Sequence, residues 1–325
     1  MLPVLDTPAP KAPAGPLRKV NPLALLSPED LERLRRRSDL KGLWSVFTCW
    51  AWIAAAMAAY AVWPSPATLL AGILVVGGRQ LGLAVLMHDA AHKALTRSSG
   101  LNDHLGQWWC GVPVGADLFA YRRYHLKHHR HVQQPEDPDL VLSAPFPVSR
   151  ASLRRKIVRD LTGQTFFKQR SAQFRNAFGP AGRPWSERMV KAVKRLGPFY
   201  GITLAGLAVF AAAGRADLFV LLWLLPMATW SMMITRIRNI AEHAVVPDND
   251  DPLRNARTTR AGPLTRLILA PYAVNYHVEH HLFMWVPHYN LSHLHRILMK
   301  KGVGPSMEIQ PDYLTVLRRA THVAA

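Results

Sequence analysis

The chain has 325 residues, 49% of them hydrophobic, and a formal net charge of +19. Such a basic balance points to nucleic acid, an anionic membrane surface or acidic partners. No nucleic-acid recognition module accompanies the charge, and the apolar runs favour the membrane. Two cysteines, Cys49 and Cys110, exclude a disulfide framework and a cysteine-rich metal site.

The first residues, MLPVLDTPAPKAPAGPLRKV, lack the apolar stretch of a signal peptide. Their Pro and Ala content predicts a partly disordered tail over residues 1–42. A membrane domain is expected over 43–300, followed by a C-terminal tail, 301–325. Leu43–Trp63 and Ser65–Met87 are apolar runs long enough for a hydrocarbon core of about 30 Å. The tight linker WPSP makes them a hairpin. The basic segment Ser149–Phe178, with interleaved Leu, Ile, Val and Phe, predicts one or two amphipathic helices on anionic lipid. Gly197–Ala213 and Leu218–Thr235, joined by GRAD, are shorter. They predict a second spanning hairpin, with a buried hairpin as the alternative.

With both hairpins inserted, the N-terminal tail, His88–Leu196 and everything after Arg236 share one side. Arg215 alone among the Lys and Arg residues lies opposite, and Arg79 alone lies within a span. The positive-inside rule makes the shared side cytoplasmic, in an inner or plasma membrane. Trp44, Trp63, Trp108, Trp109 and Trp230 fall near span ends, where interfacial anchors are expected.

The 15 histidines are clustered. HDAAH holds His88 and His92; YHLKHHRH holds His125, His128, His129 and His131; NYHVEHHLF holds His277, His280 and His281; RNIAEHA holds Asn239 and His243. Spacings of three and four stack side chains on one helical face. The three repeated patterns contain more imidazoles than one tetrahedral zinc can take. With His243 they suffice for two metals with open positions. Asp89, Glu242 and Glu279 adjoin these histidines and are expected to orient their rings. Asp137 or Asp139, in the proline-rich loop QQPEDPDL, could do the same or remain solvated. His131 reads as a bystander, and His104, His288, His293, His295 and His322 as surface or supporting residues. Arg79, with Gln80 beside it, is a charge inside a span. It is expected either at a lipid head group or buried carboxylate, or else snorkelling or in an internal structural pair.

HDAAH, HLKHH and HVEHH resemble the three histidine boxes of the integral-membrane fatty acid desaturase superfamily, which also contains hydroxylases. The likeness runs from about His88 to Leu282. It implies an all-α, four-span bundle with a cytoplasmic helical cap holding two irons, and O2 as co-substrate. By resemblance, His88, His92, His125, His128, His129, His277, His280 and His281 are the ligands. NIAEH resembles an additional site in which His243 ligates directly and Asn239 through water. The three residues between the first-box histidines favour a lipid-linked acyl substrate. The expected reaction is desaturation; a hydroxylase or ketolase acting on a lipid, carotenoid or alkane is the alternative. A divalent-metal transporter would need ionisable groups at mid-membrane, and a membrane zinc hydrolase fewer ligands. No electron-donor domain is fused, so an external ferredoxin, rubredoxin or small cytochrome is expected on the basic face. Zinc outcompetes iron(II) at nitrogen sites and can replace it in overexpressed protein.

Overall fold

A computed structural model describes residues 21–322. The expected disorder of residues 1–20 lies outside the described residues, as does the side chain of His322.

Four helical stretches are long and apolar enough to cross a membrane. A short helix, α1 (Pro28–Arg35), precedes the first pair, α2 (Asp39–Val62) and α3 (Pro66–Ala91). Ser65 and Thr68 form a capping box that starts α3, with Pro66 at its first position. That box closes the WPSP turn. Most of α2 faces outward, with Trp44, Phe47 and Trp52 exposed, whereas the second half of α3 is almost wholly buried. The helix α3 is thus the central post of the bundle.

Between the hairpins come α4 (Ser99–His104), a π-helical stretch at Leu105–Gly111, and α5 (Leu118–His131). Next are α6 (Leu140–Ser143), α7 (Arg150–Leu161) and α8 (Gln164–Ala177). The basic segment therefore forms two helices, parted where Gly163 turns to a φ of 79°.

The third crossing, α9 (Trp185–Ala212), begins well before the apolar run at Gly197. Its first turns are rich in Arg, Lys and Glu, good helix formers that extend the same helix. The fourth is interrupted. It comprises α10 (Ala216–Phe219), a π-helical turn at Val220–Leu224, α11 (Leu225–Ala228) and, beyond a break at Thr229, α12 (Trp230–His243). Gln80 spans this irregular stretch. Its Nε2 donates to the Trp223 carbonyl (2.8 Å), and its Oε1 accepts from Ser231 Oγ (2.7 Å). A backbone group freed by the irregular helix is thereby satisfied from the neighbouring span.

The rest of the chain builds a cap from α13 (Pro263–Ile268), α14 (His277–Leu282), α15 (His288–Lys300) and α16 (Tyr313–Arg319). Two short parallel strand pairs fasten it: β1 (Val148–Ser149) with β4 (Thr321–His322), and β2 (Thr258–Thr259) with β3 (Ile309–Gln310). Beyond the expected domain boundary at residue 300, Tyr313, Val316 and Ala320 join the apolar cluster around Ile234 and Ile240. A separate cluster around Leu34, Val278, Phe283 and Leu294 forms the core of the cap.

Candidate metal centre

The end of α3 brings His88 and His92 to the cap side of the bundle. The helix α5 supplies His125, His128 and His129, α12 ends on His243, and α14 supplies His277, His280 and His281. All nine rings converge. The nearest ring nitrogens of His88, His92, His125, His129 and His280 lie within 4.8 Å of one another, and those of His128, His243 and His281 form a second such group. His277 completes the second group, its Nε2 lying 2.8 Å from His243 Nε2 and 3.1 Å from His281 Nε2. The groups abut, with the His129 and His281 ring centroids 4.2 Å apart.

The spacing of the histidine patterns explains the division. On α5, His125 and His129 sit one turn apart and face the first group, while His128 turns to the second. On α14 the assignment is reversed: His277 and His281 face the second group and His280 the first. Each three-histidine motif therefore serves both groups.

The donor set fits metal ions. In the first group, Nε2 of His129 lies 2.9 Å from that of His125 and 3.0 Å from that of His280. Two nitrogens each bound at about 2.1 Å to one ion would be about 3.0–3.4 Å apart. Both ring nitrogens of His88 and of His92 are buried without a hydrogen-bond partner. Leaving such groups unpaired is costly, and a cation is the partner that relieves it. The supporting contacts fix the tautomers. His128 Nδ1–H donates to Asp137 Oδ1 (2.8 Å), and His243 Nδ1–H to the Asn255 carbonyl (3.4 Å), so each Nε2 carries a lone pair. Burial, and then the neighbouring imidazoles, hold His125, His129, His277, His280 and His281 well below the usual histidine range. His92 is lowered too, by burial and then by His88. These rings are therefore neutral at pH 7, as ligation requires. Burial raises the Asp137 carboxyl, but hydrogen bonds from His128 and from the backbone of Asp139 and Gln133 leave it below its ordinary value.

The expected supporting carboxylates divide. Asp137 bonds a clustered histidine directly. Glu242 pairs with Arg238 (2.6 Å) and lies 3.6 Å from His277 Nδ1. Asp89 instead accepts from the backbone N–H and Nδ1–H of His288 (2.8 and 2.7 Å), and Glu279 accepts from Thr258 and His295 (both 2.5 Å). The hydrogen bonds of these two carboxylates anchor the cap, while Asp89 Oδ1 also lies 3.8 Å from Nδ1 of the clustered His88. Arg79 and Gln80 both turn inward, the internal structural alternative among those the sequence left open for Arg79. Arg79 donates to the carbonyls of Arg266 and Leu267 at the end of α13, its guanidinium over the Tyr272 ring, and Gln80 holds the interrupted fourth crossing. Their hydrogen bonds go to the protein's own backbone and, for Gln80, to the Ser231 hydroxyl as well. Trp44, Trp63, Trp108 and Trp109 are exposed as anchors would be, but Trp230 packs against Gly77 of α3.

Three residues that contact this cluster's supporting backbone and rings carry no motif. Gln133 Nε2 donates to the His243 carbonyl (2.6 Å). Arg257 is fully buried and donates to the carbonyls of Ala241, Ala244 and Val245, capping the end of α12. Asn255 offers the carbonyl that orients His243. In sequence, the only signal is a basic side chain shortly after a helix ending in histidine. Left-handed non-glycine residues also flank each histidine helix: Lys93, Gln133, Val245, and Tyr272 with Ala273. Strain of this kind persists where surrounding contacts enforce it.

A cavity of about 540 Å³ opens beside the second group, against His125, His128, His243 and His277, and Asn239 lines it. Leu81, Ala84, Met87 and Leu142 give it apolar lining, and Tyr121, Tyr124, Asp139, Thr235, Arg238 and Glu242 polar lining.

Fold and site together define an all-α, integral-membrane bundle whose cap gathers nine imidazoles into two adjoining metal-capable groups. Comparison with known proteins agrees. The family description "Fatty acid desaturase" matches residues 61–306, and the chain belongs to that family. Dihydrorhizobitoxine desaturase of Bradyrhizobium elkanii is similar to it, 27% identical over 238 residues that cover 70% of this chain and 67% of that protein. Membership places the chain among oxidoreductases that act on lipid or acyl groups and usually bind metal.

Proposed function

We propose that this chain is a membrane-bound, O2-dependent diiron desaturase that introduces a double bond into an acyl chain with electrons from a separate donor protein. The observation that carries this reading is the convergence of nine imidazoles into two adjoining groups. Imidazole suits iron, and more donors are present than one ion can use. His88, His92, His125, His129 and His280 would hold one iron. His128, His243, His277 and His281 would hold the other, with Asn239 reaching it through water. When bound, the iron pair supplies the oxidising power for an unactivated C–H bond; the protein supplies placement and exclusion of side reactions.

The reaction balances as one CH2–CH2 unit, O2, two electrons and two protons giving one CH=CH unit and two waters. The residues of the chain have separate tasks within it. Asp137 and the Asn255 carbonyl hold the Nδ1 protons of His128 and His243, so that their Nε2 lone pairs are left free to bind an ion. Leu81, Ala84, Met87 and Leu142 give methylenes an apolar wall close to those rings. Positioning of this kind selects which C–H bonds react.

The cap with its basic surface would lie on the cytoplasmic side, where an acidic ferredoxin, rubredoxin or small cytochrome docks. Donor-supported turnover should fall as ionic strength rises. The decisive experiment is expression in a host of simple lipid content, followed by mass spectrometry of its lipids and acids. A product lighter by two hydrogens is expected, with His128→Ala and His280→Ala each abolishing it while inserting normally. A product heavier by one oxygen would convert the reading to hydroxylation. No oxidised product with iron and reductant supplied would refute it.

A further inference from the structure

The polar lining of the cavity beside the histidine cluster defines what kind of molecule enters it. Thr235, Arg238, Asn239 and Glu242 recur at helical spacing, so one face of α12 forms that wall. Glu242 engages only one edge of the Arg238 guanidinium, accepting from Nε (2.6 Å). Among the described residues, the Nη groups of Arg238 and the hydroxyls of Thr235 and Tyr121 have no protein partner. The other cavity carboxylate, Asp139, is engaged by the Tyr124 hydroxyl (2.5 Å). A guanidinium edge with two free donors matches a carboxylate, which it binds bidentately.

Arg238 is also close to the chemistry. A single carboxylate, Glu242, stands between its guanidinium and the His277 ring, 2.6 Å from the first and 3.6 Å from the second. An anion held by Arg238 would therefore place only its first few carbons beside the clustered imidazoles. The apolar wall of Leu81, Ala84 and Met87 then receives the short tail.

From this geometry we propose that the substrate is a carboxylate-bearing amphiphile, held head-first by Arg238 with Thr235 and Tyr121, and oxidised within a few carbons of its carboxylate. The inference rests on the oxidoreductase reading and sharpens it; the balance of atoms and electrons is the same. It contrasts with oxidation deep in a long chain, for which an ionisable wall beside the metals would only add a desolvation cost.

The test uses full-length, zinc-loaded protein and two water-soluble probes of equal chain length, hexanoate and hexan-1-ol, with binding measured by calorimetry. Hexanoate should bind about tenfold more tightly than the alcohol. Arg238→Gln should remove that preference, Arg238→Lys should restore part of it, and Thr235→Val should weaken hexanoate by a few-fold. Equal binding of the two probes to the wild type, or an unchanged preference in Arg238→Gln, overturns the inference. If Arg238→Gln fails to fold because Glu242 is left unpaired, the wild-type comparison and Thr235→Val decide. The two readings fail separately. An O2-dependent product oxidised far from its head group would refute the carboxylate anchor and leave the enzyme standing. Hexanoate selectivity without oxidation of any supplied acid would do the reverse.

Discussion

Asp137 shows how much a single residue can decide. It receives the Nδ1 proton of His128 and the backbone N–H groups of Gln133 and Asp139, so it fixes both a ring and the loop that follows it. An amide in its place can offer that proton only one acceptor oxygen and no charge. Asp137→Asn is expected to weaken metal retention about 10–100-fold, the usual effect of losing a ligand's supporting carboxylate. Competition with a chelator measures this, and an unchanged metal affinity would mean that His128 is oriented by something else. The nine histidines themselves were legible, because their three- and four-residue spacings are meaningful along one helix. Gln133, Asn255 and Arg257 were not. They act through backbone carbonyls brought close only by the folded chain, and nothing in their own neighbourhoods marks that use.

Among the elements, α3 carries the greatest burden. It presents His88 and His92 and packs closely against the cap at Gly78. A methyl group added there would lie 2.8 Å from both Ile268 Cα and the Leu267 carbonyl oxygen. Backbone cannot move aside as a flexible side chain can, so α13 must shift, and the carbonyls that Arg79 caps shift with it. Gly78→Ala should therefore cost about 1–3 kcal/mol, the usual penalty of overpacking. A thermal melt showing no loss would indicate that α13 is free to slide. The four apolar runs were readable from length and hydropathy, and the structure extends rather than replaces them. The interruption of the fourth at Val220–Leu224 and Thr229 was hidden, because an apolar run looks the same whether or not its backbone bonds are regular. Gln80, a polar side chain within a span, bonds across that interruption to the Trp223 carbonyl and Ser231.

For the whole molecule, the buried imidazoles link acidity to stability. The folded-state values of His92, His125, His129, His277, His280 and His281 lie below their unfolded value of about 6.5. Above that pH both states are neutral and these groups add no pH dependence. As pH falls below it, the unfolded chain takes up protons that the folded chain refuses, so the metal-free protein loses stability. Melting temperatures of chelator-stripped protein should fall steadily from pH 7 to pH 5. A flat profile would show that the cluster opens to solvent once its ions are gone.

The histidines of the two groups are dispersed between residues 88 and 281, and each group draws on the last of these segments, α14. Neither set of donors exists in full until the ribosome has passed the second hairpin and the following loop has folded back across the membrane surface. Ion loading is therefore a closing act of biogenesis, and a nascent or clipped chain that stops before α14 exposes imidazoles without the means to retain what they capture.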